Sequence, residues 1–257
     1  MLTTRTVISC TTVELAYLAA LAGDGPLIGA PDPFHGWIAI EIEEALTQAR
    51  ETLAARGLIQ IDADGTVTPA PQVLDFLRDC LSATLTYRLA RTLPEVGSSV
   101  HHFYAAADRT IELATTPGAQ QLFLMLVEDL QSRISGLLHL NGQALPALDG
   151  GRASESLLRR VQDLAQEGRS EEASVLLHQA GLSLDTAFRL ASDLSEPVAN
   201  AALVAVRRGG SGWQTDGVAF VEGLGGLWLL TPEQDWVTIT PAGSGGARAA
   251  IGKLIGA

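Results

Sequence analysis

The stretch VAFVEGLGGLWLLTPEQDWVTITPA, residues 218–242, alternates apolar runs with short segments rich in Gly, Pro, Gln and Asp. This alternation is typical of consecutive antiparallel strands joined by tight turns. Residues 85–138 and 198–255 are two loose copies of one unit: apolar strands, a polar turn, a Thr-Pro turn, a further strand and a closing amphipathic helix. The Thr-Pro turn falls at Thr116-Pro117 in one copy and at Thr231-Pro232 in the other. The repeat predicts a protein built from two related halves.

The segment before the first copy combines helices with one β-hairpin. Apolar residues recur at helical spacing over residues 11–21 and over a long helix at 37–56. A hairpin follows at 58–68, with Asp62-Ala63-Asp64-Gly65 as its turn. A helix followed by a hairpin resembles the end of a winged helix, and Pro71 is well placed to begin the next helix.

The second half begins after a segment rich in Gly and Pro, residues 141–151, which is the predicted linker between domains 1–140 and 152–257. This half opens with three predicted helices, the second of them with Ser170 as its N-cap. The predicted helices are 154–166, 170–180 and 185–194, the strands are 198–206, 217–222, 227–230 and 236–240, and further turns fall at 209–212 and 215–217. The pattern predicts an α+β fold with two pseudo-symmetric halves, each an antiparallel sheet with flanking helices, and a winged-helix-like N-terminal segment.

The charge balance disfavours two classes of partner. The 257 residues carry a formal net charge of −12, whereas proteins that bind nucleic acid or anionic membranes normally present clustered Lys and Arg. The long helix would be the DNA reader of a winged helix, yet it presents Glu41, Glu43, Glu44 and Glu51. We therefore expect neither nucleic acid nor membrane as a partner. A winged-helix transcriptional regulator, whose C-terminal half senses a ligand or dimerises, is the alternative.

Cysteine usage and hydropathy predict a cytoplasmic protein. The two cysteines, Cys10 and Cys80, lie in apolar segments and are expected to be buried free thiols, with a disulfide as the alternative. Residues 1–10 lack the continuous apolar core of a secretory signal. The longest apolar runs, such as residues 224–230, are much shorter than the roughly 20 residues that span a bilayer.

No pattern in the sequence identifies a catalytic, metal or cofactor site. His101 and His102 are adjacent on a predicted strand, so their side chains point to opposite faces and cannot chelate one ion together. Gly210-Ser211-Gly212 lacks the spacing of a nucleophile elbow, and the only lysine, Lys253, does not lie in a P-loop motif. We predict a protein that is not an enzyme and holds no metal or cofactor. An enzyme of unrecognised type is the alternative.

Several soft motifs together resemble one known family. They are Ala-Ala-Arg-Gly-Leu-Ile at 54–59, a Pro-x-Val-Leu-x-x-Leu helix at 71–77 and Trp-Val-Thr-Ile-Thr-Pro-Ala at 236–242. With the order helix, hairpin, helix, sheet, helical bundle, sheet and closing helix, most of the chain is similar to EspG-type proteins, the secretion-associated chaperones of type VII secretion systems. The resemblance implies two pseudo-symmetric sheet-containing halves and a cytosolic protein that binds the apolar tip of a helical secreted protein.

Five apolar residues are the candidate partner-binding residues. Leu184 and Phe188 belong to the third helix of the second half, and Leu224, Leu227 and Trp228 belong to an apolar strand region. A helical partner would bury its own apolar side chains against them, as in helix-in-groove recognition. The same residues also suit the core, because an apolar strand and one helix face are what a two-layer fold buries.

Overall fold

The structure is a computed structural model that describes residues 7–23, 25, 27–94, 96–106, 109–115, 122–138, 148–210, 212–224 and 226–256. The predicted turn at Thr116-Pro117 and most of the predicted linker, residues 141–147, lie outside the described residues. Within the described ranges, no helix combines the length and the hydropathy needed to cross a membrane.

The chain divides into two compact units. The N-terminal unit comprises Met1–Arg88, Ser99–Glu128 and Arg207–Gly212, and the C-terminal unit comprises Leu89–Ser98, Asp129–Val206 and Trp213–Ala257. The first run of elements is β1 (Val7–Cys10), α1 (Thr12–Ala22), α2 (Ala39–Ala55), β2 (Ile59–Ile61), β3 (Val67–Pro69), α3 (Pro71–Ser82), β4 (Leu85–Leu93), β5 (Gly97–Ala105), β6 (Thr110–Thr115), β7 (Leu122–Val127) and α4 (Leu130–Leu138). The second run is β8 (Gly151–Ser154), α5 (Glu155–Gln166), α6 (Ser170–Gln179), α7 (Leu184–Ser195), β9 (Ala199–Gly209), β10 (Gly212–Gly223), β11 (Gly226–Glu233), β12 (Trp236–Ala242) and α8 (Ser244–Gly256).

The two runs repeat one order of elements. Each has a short first strand, then three helices, four strands and a closing helix, and the first run adds the β2–β3 hairpin. The strand orders are β1-β7-β6-β5-β4 and β9-β10-β11-β12-β8. In both runs the short first strand pairs antiparallel with the last of the four, Ile8 opposite Leu124 and Ala153 opposite Val237. The predicted α+β class with two related halves is therefore confirmed.

The helices of the N-terminal unit pack on one core. Helix α1 begins with a capping box in which the Glu14 N–H donates to Thr11 Oγ1 at 3.1 Å and the Thr11 N–H donates to Glu14 Oε2 at 2.8 Å. Leu15 and Leu18 of α1 are buried in a cluster with Leu53 of α2 and with side chains of α3 and the sheet. The predicted hairpin at 58–68 forms as β2 and β3, which gives this unit its winged-helix-like start.

Both cysteines are buried free thiols, as predicted. Burial, together with the charge of Glu14, raises the pKa of the Cys10 thiol to about 12, and burial also raises the pKa of Cys80. Because the thiolate is the reactive form, these two thiols are protonated core residues at neutral pH and not nucleophiles.

The helices α5, α6 and α7 cover the sheet of the C-terminal unit. Apolar side chains of the three helices meet Trp228 and Ile239 of the sheet in one buried cluster; Val161, Leu177 and Leu190 are among them. Each helix therefore places one apolar stripe inward and its remaining faces in solvent.

Several predictions about individual elements are wrong. Strand β8 was not predicted, because its four residues carry no apolar alternation and form a strand only by pairing with β12. Thr231-Pro232 lies inside β11, and the turn falls at residues 234–235, where Gln234 has a φ of 58°.

The predicted turn at residues 215–217 lies inside β10. Gly217 lets the backbone of β10 come close to the backbone at Leu203, since a Cβ at Gly217 would lie 3.1 Å from the Leu203 carbonyl oxygen. Helix α6 has Arg169 and not Ser170 at its N-cap.

A buried histidine makes the stability of the N-terminal unit dependent on pH. The imidazole of His102 lies against Gly29, so close that a Cβ at Gly29 would be 2.1 Å from Nε2. Burial, and to a lesser extent the charges of Arg88 and His101, lower the pKa of His102 to about 4. Between the unfolded pKa of about 6.5 and this value, the unfolded chain binds more protons than the folded one, so stability falls as the pH falls.

We expect His102→Gln to weaken this loss of stability on acidification, because glutamine does not titrate. The free energy of unfolding, measured in urea at pH 7 and at pH 5, should fall less in the variant than in the unmodified protein. An equal fall in both proteins would show that His102 does not carry this pH dependence.

Candidate partner-binding site

Helix α7 is fixed at its start by local hydrogen bonds. The N-cap is Ser183, whose Oγ accepts a hydrogen bond from the Thr186 N–H at 3.3 Å. The Thr186 hydroxyl donates to the Asp149 carbonyl oxygen at 3.0 Å and is fully buried. The inward face of the helix continues through Ala187, Leu190 and Ala191, which are buried. These contacts give α7 one defined orientation on its unit.

The outward face of α7 presents two large apolar side chains. Leu184 is 66% exposed and Phe188 is 64% exposed. Because they lie four residues apart, they share one face of the helix and are separated by about one turn. Leu184 and Phe188 therefore form a small apolar patch on the outward face of α7, which a partner can cover.

The third exposed candidate residue lies in the turn between β10 and β11. Glu222 pairs with Leu227 and Gly223 with Gly226, so the strands converge on a tight turn. Leu224 lies in this turn and is 86% exposed. A leucine that makes so little contact with its own chain is available to a partner.

Asp193 connects the end of α7 to this hairpin. Its Oδ2 accepts a hydrogen bond from Trp228 Nε1 at 2.8 Å. Its Oδ1 lies against Gly223, where an added Cβ would be only 1.9 Å away. The Val198 N–H, just after the helix, donates to the Glu222 carbonyl oxygen at 2.8 Å. These contacts place the turn that carries Leu224 beside the C-terminal end of α7.

The structure does not gather all three exposed residues at one point. Phe188 precedes Asp193 by five residues, which corresponds to about 7.5 Å along a helix axis. Leu184 and Phe188 therefore form one pair on the outward face of α7, and Leu224 is a separate apolar point beside its C-terminal end. A partner that touches both must extend along α7.

The carboxyl group of Asp193, which links α7 to the β10–β11 hairpin, is buried. Burial raises the pKa of Asp193, whereas the hydrogen bond from Trp228 and the charge of Arg189 lower it in part. The hydrogen bond to Asp193 gives the buried indole N–H of Trp228 an acceptor in the core. Asp193 acts here as a structural link between helix and hairpin.

The remaining two candidate residues are core residues. Leu227 and Trp228 have no exposed surface, and Trp228 packs among Val161, Leu190 and Ile239. They cannot contact a partner directly in this structure, which corrects their assignment to the binding surface. The reason is that β11 is buried on both faces: Trp228 faces α5, α6 and α7, and its neighbour Leu227 points to the opposite face, where it is buried as well.

Val175 of α6 is an exposed apolar residue that sequence reasoning missed. Its side chain is 53% exposed, whereas Ala173 and Leu177 on either side of it are buried. Its position two residues from each inward residue puts it on the opposite face of the helix. The sequence signal for this residue was a valine on the face of the helix where a polar residue was expected.

The polar side chains of the described residues form no metal site. No group of three or more His, Cys, Asp or Glu side chains in these ranges is arranged to hold a metal ion. His101 Nδ1 lies 2.7 Å from Glu112 Oε1 in the sheet, while His102 faces Gly29, so the two imidazoles point apart as predicted. The outward face of α7 offers apolar contact through Leu184 and Phe188.

The predicted DNA-reading face of α2 is acidic in the structure as well. Glu41, Glu43, Glu44 and Glu51 are all exposed. Carboxylates on a helix repel the phosphates that line a DNA groove. The winged-helix-like segment therefore lacks the charge of a DNA reader.

We expect Gly223→Ala to destabilise the C-terminal unit by about 1–3 kcal/mol, because the new methyl group would displace Asp193 from the turn. Gly245→Ala is a matched control, since a Cβ at that position of α8 meets open space. Urea unfolding of both variants measures the difference. Equal free energies of unfolding in the two variants would contradict the contact between Asp193 and Gly223.

Comparisons with known proteins identify the fold. No family model and no curated protein matches the sequence. Among solved structures, the chain is similar to the Mycobacterium tuberculosis type VII secretion system chaperone EspG5, which was solved in complex with a PE25-PPE41 dimer. The match has a TM-score of 0.70 and 14% sequence identity, and it covers 97% of this chain and 96% of that chain. The predicted EspG-type resemblance is therefore confirmed as a distant likeness in fold.

Proposed function

We propose that this chain, which has the EspG-type fold, is a noncatalytic secretion chaperone that binds a helical secreted protein in the cytosol. The observation that carries the proposal is the match in fold over 97% of the chain to a chaperone solved with a bound dimer. The adjacent exposed side chains of Leu184 and Phe188 are compatible with the same conclusion, because a bound partner would cover them.

In the proposed mechanism, the apolar tip of the helical partner covers the outward face of α7. Leu184 and Phe188 supply the main apolar contact, and Leu224 adds a second contact beside the end of the helix. Full burial of such a side chain contributes about 1.5–3 kcal/mol, so a few of them account for a substantial part of micromolar binding. The chaperone covers an apolar surface of its partner and performs no chemistry on it.

The rigidity of the site favours binding. Helix α7 is held at its start by Ser183 and Thr186 and near its end by Asp193 and Trp228. Because these contacts exist before the partner arrives, the backbone of α7 does not have to be ordered on binding.

Co-purification from the native host tests the proposed function. A tagged copy of the full chain should recover a predominantly helical protein that is also found in the culture medium, and loss of the chaperone should lower the secreted amount of that protein. Recovery of the chain alone at native expression levels, with secretion unchanged in its absence, would overturn the proposal.

A further inference from the structure

Helix α2 exposes more of its surface than the neighbouring helices of its unit. Only Ala49 and Leu53 of its 17 residues are buried, and both lie in its C-terminal half. The N-terminal half carries Ile40, which is 61% exposed, and follows the exposed residues Trp37 and Ile38. This half of the helix is not used in the core of its own unit.

One stripe of α2 combines an apolar residue with carboxylates. Six residues line a shallow depression of about 520 Å³: Ile40, Glu43, Glu44, Thr47, Gln48 and Glu51. Their spacing of three and four residues places them along one side of the helix. We call these six residues the α2 stripe.

The apolar surface extends from the start of α2 towards α1. The rings of Trp37 and Phe34 meet edge to face, with centroids 6.1 Å apart. Phe34 also lines a cavity of about 870 Å³. The walls of this cavity include Ala16 and Ala20 of α1 and Ile28, which lies between α1 and α2. An apolar surface thus adjoins the acidic stripe at its N-terminal end.

The charges on α2 are strongly unbalanced. The helix carries four glutamates and one arginine, Arg50. The next arginine, Arg56, is engaged at 3.1 Å with Glu14 of α1. The field at the α2 stripe is therefore negative, and it favours a cationic partner.

We propose that the α2 stripe, with Trp37 and Ile38, binds a basic amphipathic helix of a second partner protein. The apolar residues of that helix cover Ile40 and Trp37, and its Lys or Arg residues lie beside Glu43, Glu44 and Glu51. This surface belongs to the N-terminal unit. It is not the outward face of α7, which we propose binds the helical secreted protein, called the client below. The inference therefore goes beyond client binding and does not depend on it.

The charges select this occupant over others. Phosphates of nucleic acid or of an anionic membrane would be repelled by the four glutamates. A second copy of the chain also carries a net charge of −12. If the two copies met through their α2 stripes, the glutamates of one stripe would repel those of the other. A helix with both leucine-type and cationic residues satisfies the apolar and the acidic parts of the surface together.

The test uses two synthetic 16-residue helical peptides with leucine at the same positions, one with lysine and one with glutamate at the others. Fluorescence anisotropy with the full chain should show binding of the lysine peptide and none of the glutamate peptide. The variants Ile40→Ser and Glu43→Lys/Glu44→Lys should each weaken binding of the lysine peptide at least ten-fold. Binding should also weaken as salt is raised from low to physiological concentration, because exposed charges are screened.

A matched control separates this site from the general acidity of the chain. The variant Glu196→Lys/Asp216→Lys changes two exposed residues of the C-terminal unit and shifts the net charge by the same amount. It should bind the lysine peptide as the unmodified chain does. Equal loss in both double variants, or failure of the lysine peptide to bind, would overturn the proposal. So would sedimentation that shows a dimer dissociated by Ile40→Ser, since a second copy would then occupy the stripe.

Discussion

Trp228→Ala is expected to lower the free energy of unfolding by about 3–5 kcal/mol, the usual range for removing a large buried aromatic side chain. Trp228 is fully buried among residues from α5, α6, α7 and β12. Its removal leaves a cavity. It also removes the indole N–H that donates a hydrogen bond to Asp193 Oδ2, so the buried carboxyl group of Asp193 loses this partner. Urea unfolding at neutral pH measures the change.

Two other tryptophans of the same unit serve as matched controls. Trp213 and Trp236 are each more than half exposed. Their replacement by alanine should change the free energy of unfolding by no more than about 0.5 kcal/mol, as for most surface substitutions. A similar loss for all three substitutions would contradict the assignment of Trp228 to the core and of the other two to the surface.

Phe188→Asp is expected to weaken binding of the client by about 100-fold, which corresponds to about 2.7 kcal/mol. The substitution removes the larger apolar side chain of the outward face of α7 and would bury a charge at the interface. Because Phe188 is largely exposed in the free chain, the stability of the chaperone should stay within about 0.5 kcal/mol. Titration calorimetry with the co-purified partner measures the affinity.

Ile61→Asp provides the comparison for Phe188→Asp. Ile61 is an exposed apolar residue of β2 in the N-terminal unit, distant in sequence from the proposed client site. Its substitution should leave client affinity within about two-fold, because no client contact is proposed there. Equal weakening by both substitutions would show that α7 has no special part in binding.

The strands and helices with clear periodicity were predictable from the sequence. Apolar alternation over residues 110–113 and the Asp-Gly turn at residues 62–65 led to β6 and to the β2–β3 hairpin. These features depend on neighbouring residues alone, so local spacing is sufficient to predict them. The repeated order of strands and closing helix was likewise predictable from the sequence, although Thr231-Pro232, which was expected to be a turn, lies inside β11.

The separation of surface from core in the apolar segments was not predictable. Leu224 and Trp228 lie four residues apart in one apolar run, yet the first is largely exposed and the second has no exposed surface. The difference arises because α7 covers β11 and stops beside the turn, and that placement depends on contacts such as Asp193 with Trp228, 35 residues apart in sequence. β8 was missed for the same reason, since its partner strand β12 is more than 80 residues away.

Site-specific photocrosslinking from position 188 in the native host tests the central claim most directly. With a benzoyl-phenylalanine at that position of the full chain, we predict a covalent adduct whose partner peptide belongs to a helical secreted protein and contains apolar residues. The same photoreactive residue at position 61 should give no adduct with that protein. Adducts with the client from position 61 but not from position 188 would contradict binding at the outward face of α7.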